Sequence, residues 1–142
     1  MNFIQEKLGK KAPTFASDFV KNLCLFYCYA FCCGIEFESE LAAWNCAQKM
    51  RLDGILSDDG FVNDAEKLIK NLTGRSRTIL KEKINSISQI KQTCPVCFEY
   101  NGSYHWVVVE NGKIVFNSIE NSKCVNFGKP ISARIIEPKI YL

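Results

Sequence analysis

From Leu23 to Ile35 the chain reads LCLFYCYAFCCGI, 13 residues without a charged side chain. A bilayer span takes about 20 such residues, so this run is too short to cross a membrane and reads as a helix buried in protein. Its aromatic residues Phe26, Tyr27, Tyr29 and Phe31 fall on more than one helical face. A helix that is apolar all round has to be enclosed by the rest of the fold on several sides. With 47% hydrophobic and 23% charged residues over 142 positions, the chain has the material to build that enclosure as one domain, residues 1–142. Gly34 supplies a C-cap signal, and the helix, or a loop leading into it, opens near Phe15.

The enclosing elements change period along the chain. A second helix is expected from about Ser39 to Leu52, with Leu41, Trp44, Ala47 (or Gln48) and Leu52 near helical spacing and Gly54 just beyond. SDDG at 57–60 is turn chemistry, and Asn63 then caps a third helix, DAEKLIKNL, which stops at Gly74. From there the pattern turns β-branched and aromatic. RTIL (77–80), PVCFEY (95–100), SYHWVVVE (103–110), KIVFNS (113–118) and ARII (133–136) read as short strands, with a short helix, INSISQI, between the first two. Helices first and antiparallel strands afterwards predict an α+β fold in which N-terminal helices pack on one antiparallel sheet.

Composition excludes several function classes. A net charge of +3, with lysines scattered rather than gathered in a stripe, gives no electrostatic footprint for nucleic acid. The N-terminal MNFIQEKLGKKAP lacks the pattern of a secretory signal. Eight cysteines without an export signal then read as reduced thiols in a cytoplasmic protein rather than a disulfide framework. CPVC at 94–97 has the C-x-x-C spacing but runs into a strand, whereas a thioredoxin-type pair opens a helix. Zinc would need a second ligand pair, and no second C-x-x-C exists. No metal or cofactor is expected, and the partner predicted is a peptide or protein, with neither nucleic acid nor membrane.

The single histidine, His105, lies in SYHWVVVE, and Asn111-Gly112 turns the chain back into KIVFNS. A two-residue turn pairs Glu110 with Lys113, which sets Trp106 opposite Asn117 and His105 opposite Ser118. A three-residue turn, with Gly112 in a left-handed bulge position, pairs Val109 with Lys113 and sets His105 opposite Asn117. The sequence ENG favours the second, in which an amide is placed to orient the imidazole. Without a nucleophile, a strand histidine between Tyr104 and Trp106 is a packing residue. Cys24, Cys28 and Cys32 share one helical face, and a helix N-terminus lowers a thiol pKa. If Asn22 caps the helix, Cys24 lies in its first turn; if Ser17 caps it, Cys24 is mid-helix and inert.

A cysteine at the start of an apolar helix, a mid-chain DG followed by FVND, and HWVVV followed by a polar residue on the next strand together resemble the papain-like cysteine peptidase superfamily. The likeness is to its compact bacterial branch, the bacteriocin-transporter peptidase domains and small phage or plasmid proteins related to them, and it covers roughly Asp18 to Ser118. The resemblance implies a papain-like fold and a Cys/His/Asn triad. Cys24 would be the nucleophile, with Cys28 the alternative thiol, His105 the general base and Asn117 the orienting residue. The chain departs from that family at two positions. Asp18, an acceptor, stands where the family has a Gln that donates to the oxyanion, and Leu23 precedes the cysteine where compact relatives have Gly. The resemblance therefore admits two functions, a thiol hydrolase of a peptide or isopeptide bond and an inactive module that binds a protein in the same groove.

Overall fold

The apolar run does form a helix enclosed on several sides. The computed structural model describes residues 17–138 and 140. It places helices at Ser17–Lys21 (α1), Cys24–Cys32 (α2), Glu40–Leu52 (α3) and Ala65–Thr73 (α4) ahead of the first strand, Thr78–Lys83 (β1). Strands Cys94–Tyr100 (β2), Ser103–Glu110 (β3) and Lys113–Phe116 (β4) follow, then a short helix at Lys123–Phe127 (α5) and a last strand, Lys129–Glu137 (β5). All the pairings are antiparallel and the strand order is β1-β5-β2-β3-β4. The expected α+β class, with helices in the first half and one antiparallel sheet in the second, is what the chain adopts. No helix of the described residues is long and apolar enough to cross a membrane.

All of α2 except Leu25 and Phe31 is buried. It packs on one face of the sheet, where Phe26, Cys28, Tyr29 and Cys32 share a core with Val108, Phe116 and Ile136 and with Ala43, Ala47, Leu68 and Ile69 of α3 and α4. The opposite face carries a second core of Cys94, Val96, Phe98, Val107 and Val109, closed by Cys124 of α5. Side chains alternate across a strand. Trp106 and Val108 therefore face α2, while His105 shares the other face with Val107 and Val109.

Three local expectations are corrected. Helix α3 starts beside Ser39, which caps it by accepting from Ala42 N–H at 3.1 Å, and Ala47 is buried, but the other inward residues are Ala43 and Met50. Leu41 and Leu52 are 65% and 81% exposed. Ala43, Ala47 and Met50 enter the same core as α2, and Leu41 and Leu52 lie outside it. Asp64, not Asn63, caps α4, accepting from Lys67 N–H at 3.0 Å, while the Asn63 amide donates to Gly54 O. The segment expected as a short helix is a single 3-10 turn, Ile87–Gln89, closed by a capping box between Ser86 and Gln89. The expected start near Phe15 lies outside the described residues. Helix α5 was not foreseen, because five residues give too little periodicity to register.

Candidate active site

Cys24 owes its position to a break between α1 and α2. The Asn22 amide donates both to Asp18 O at 3.2 Å and to Asp59 O at 2.9 Å. Asn22 is not the N-cap; Leu23 holds that place without a side-chain cap, and Cys24 is the first residue of α2. The Asp59 loop can come this close because Gly60 follows it, with φ at +89°, and a Cβ there would lie 2.1 Å from Phe19 O. Ser17 begins a separate short helix that ends at Lys21, so Cys24 is not mid-helix either.

Backbone N–H groups of Trp106 and Leu25, and that of Cys24 itself, lie near the Cys24 sulfur and favour a thiolate. Burial outweighs them, Cys124 nearby adds to it, and the thiol pKa is raised. Strand N–H groups point within the plane of a sheet. Since β4 ends at Phe116, opposite Val108, the stretch of β3 before Val108 has no partner strand on that side among the described residues. The Cys24 sulfur thus occupies the open margin of β3 beside Trp106, at the boundary between the two faces rather than over either. Cys28, one turn further, is wholly buried within the α2 core and its pKa is pushed well above 9.0 by burial.

The histidine hairpin closes with two residues, not three. Glu110 pairs with Lys113, and Asn111 and Gly112 both have positive φ, 49° and 75°. These are the requirements of a type I′ turn, whose twist matches that of the strands. Such a turn alone would send Asn117 to the face opposite His105. The ladder, however, slips between Val109↔Ile114 and Val108↔Phe116, leaving Val115 as an extra residue. This bulge restores the parity, so that Asn117 falls diagonally across from His105 on the same face.

The two side chains meet there, His105 Nε2 lying 2.7 Å from Asn117 Oδ1. Asn117 Oδ1 also accepts from Ile119 N–H at 3.1 Å, which identifies it as the oxygen. Nε2 must then carry the proton, and Nδ1 is the nitrogen with a free lone pair. Both residues are buried, His105 at 4% exposure and Asn117 at 8%. Burial lowers the His105 pKa, partly offset by the Asn117 bond, so the ring is neutral near pH 7. Among the described residues no hydrogen bond joins the Cys24 sulfur to the ring. The arrangement offers an oriented neutral imidazole, a protonated thiol held at a helix N-terminus one residue along the strand, and the Cys24 N–H as an oxyanion donor. The Asn22 amide is already committed to two carbonyls and adds no donor.

The competing cysteine motif is dispersed by the strand. Cys94 and Cys97 lie three residues apart on β2 and so point to opposite faces, Cys94 into the Val107 core and Cys97 opposite Trp106. Burial drives each thiol up to about 12. All eight cysteines are free, and among the described residues no group of three or more metal-ligating side chains is assembled. Neither Gly60's clamping role, since SDDG reads as any surface turn, nor Arg134 stacked 4.7 Å from the Trp106 ring centroid was legible in the residues around them. No family model, curated protein or solved structure matches the chain. Fold and geometry define an α+β protein with its N-terminal helices over one face of an antiparallel sheet, the short α5 on the other, and an oriented histidine at the sheet's margin.

Proposed function

We propose that the chain is a cysteine peptidase of papain-like fold, cleaving a peptide or isopeptide bond of a peptide or protein in the cytoplasm. The observation that carries this reading is the His105–Asn117 bond at 2.7 Å beside the Cys24 that opens α2. In the reaction, Nδ1 of His105 takes the Cys24 proton as the sulfur attacks the carbonyl carbon, and the oxyanion is met by the Cys24 N–H. The imidazolium then protonates the leaving amine, and water releases the acyl group by the reverse proton path. Asn117 holds the ring in the tautomer that leaves Nδ1 free. No cofactor takes part.

A second reading has its own support. Cys24 is buried with a raised pKa, it makes no hydrogen bond to the ring among the described residues, and Asp18 stands where an oxyanion donor belongs. These features suit an inactive module that binds a protein partner in the same groove. A peptidyl vinyl sulfone, with the modified cysteine mapped by mass spectrometry, separates the two. The enzyme is labelled at Cys24 alone, and His105→Ala slows labelling at least about 100-fold, as loss of a general base does. Labelling spread over several cysteines, or absent, leaves only the binding module.

A further inference from the structure

A cavity of about 290 Å³ opens on the α2 side of the sheet, between α2, the start of α4, β1 and β5. It is distinct from the Cys24–His105 margin. Its lining combines three kinds of group. Leu25, Val62 and Ile79 are apolar; Lys81 and Arg134 are cations; Asp64 and Glu66 are anions.

Arg134 is half-buried and firmly oriented. Its Nη1 donates to Ser132 Oγ at 2.6 Å, and its guanidinium lies over the Trp106 ring. Among the described residues no carboxylate comes within ion-pair distance of it, so the remaining guanidinium donors have no anionic partner. A half-buried cation without an ion pair is stabilised by an anion, and a guanidinium grips a carboxylate through two parallel bonds. The acidic residues are held apart from it. Glu66 Oε2 accepts from Ile79 N–H at 3.1 Å and Asp64 Oδ1 caps α4, each with its second oxygen unengaged in the hydrogen bonds of the described residues. A simple anion would face their repulsion, and an uncharged apolar ligand would leave both sets of charges without partners. The volume, about 290 Å³, lies just below the roughly 300 Å³ at which ligand pockets begin, which suits only a small ligand.

We infer that this cavity binds a small zwitterion, a free α-amino acid with an aliphatic side chain. Its carboxylate lies on Arg134 and Lys81, its ammonium on Glu66 and Asp64, and its side chain against Leu25, Val62 and Ile79. The inference does not depend on the peptidase reading.

Isothermal titration calorimetry with L-leucine tests it. A ligand of this size is expected to bind with a Kd of about 1 mM. L-leucinamide, without the carboxylate, and N-acetyl-L-leucine, without the ammonium, should each bind at least tenfold more weakly. Arg134→Gln should abolish saturation. Because that change also removes the stack on Trp106, Lys81→Gln at the exposed rim and Ile79→Trp, which fills the cavity, are measured beside it; the first should weaken binding severalfold and the second eliminate it. Absence of saturable L-leucine binding to the wild-type chain overturns the inference. So does N-acetyl-L-leucine binding as well as L-leucine, or binding that survives Ile79→Trp.

Discussion

Replacing Gly60 with alanine combines two penalties that Gly54, Gly74 and Gly128 carry one at a time. Gly54 and Gly74 have φ of +76° with nothing within 4 Å of a would-be Cβ. Alanine there is opposed by the left-handed conformation alone, about 1 kcal/mol. Gly128 has an ordinary φ of −91°, yet a Cβ would sit 2.2 Å from Glu99 O and 2.4 Å from Cys124 O. Its penalty is purely steric. Gly60 combines φ +89° with a Cβ 2.1 Å from Phe19 O. A carbon and a carbonyl oxygen approach to about 3.3 Å, so the loop must retreat by roughly 1 Å. Overpacking of that kind costs about 1–3 kcal/mol. Added to the backbone strain of about 1 kcal/mol, Gly60→Ala should lose about 2–4 kcal/mol, or roughly 6–15 °C in Tm for a chain of this length. Urea unfolding and calorimetry of the four alanine variants should rank Gly60 lowest, Gly128 next, and Gly54 and Gly74 near wild type. The retreat also loosens the Asp59 carbonyl from Asn22. Vinyl sulfone labelling of Cys24 should therefore slow in Gly60→Ala and not in Gly128→Ala, at a temperature where both are folded. Gly60→Ala no less stable than Gly54→Ala would refute the clamp.

The corrected face of α3 predicts a contrast between two residues two positions apart. Met50, 1% exposed, should lose about 2–4 kcal/mol on truncation to alanine, whereas Leu52, 81% exposed, should change by no more than about 0.5 kcal/mol in the same urea titrations. For His105, burial sets the folded pKa below the ordinary 6.5. Between those two values the unfolded chain binds more protons than the folded one, so His105 makes stability fall as pH drops through that window and has no effect above it. Wild type should lose stability relative to His105→Gln as pH is lowered from about 8 to 5; a pH-independent difference would mean that the ring is already free to protonate in the fold.

Much of this architecture can be read from local pattern. LCLFYCYAFCCGI is too apolar to be anything but enclosed, Ser39 and Gly74 bound their helices through chemistry that needs no neighbours, and SYHWVVVE is a strand over its whole length. Asn111-Gly112 marks the hairpin for the same reason, since positive φ at both positions is a property of those two residues. What local pattern could not supply was parity and proximity. The facing of Asn117 hung on the register slip at Val115, which no preference of valine signals. The tie between the Asn22 amide and the Asp59 carbonyl, more than thirty residues away beside Gly60, is written nowhere in the residues around Cys24. Cys94 and Cys97 look like a pair in sequence and are parted by the two-residue period of β2. Capping and turn preferences are settled within a few residues and survive in any context, whereas register, the break before Cys24 and the pocket around Arg134 depend on which distant surfaces pack together.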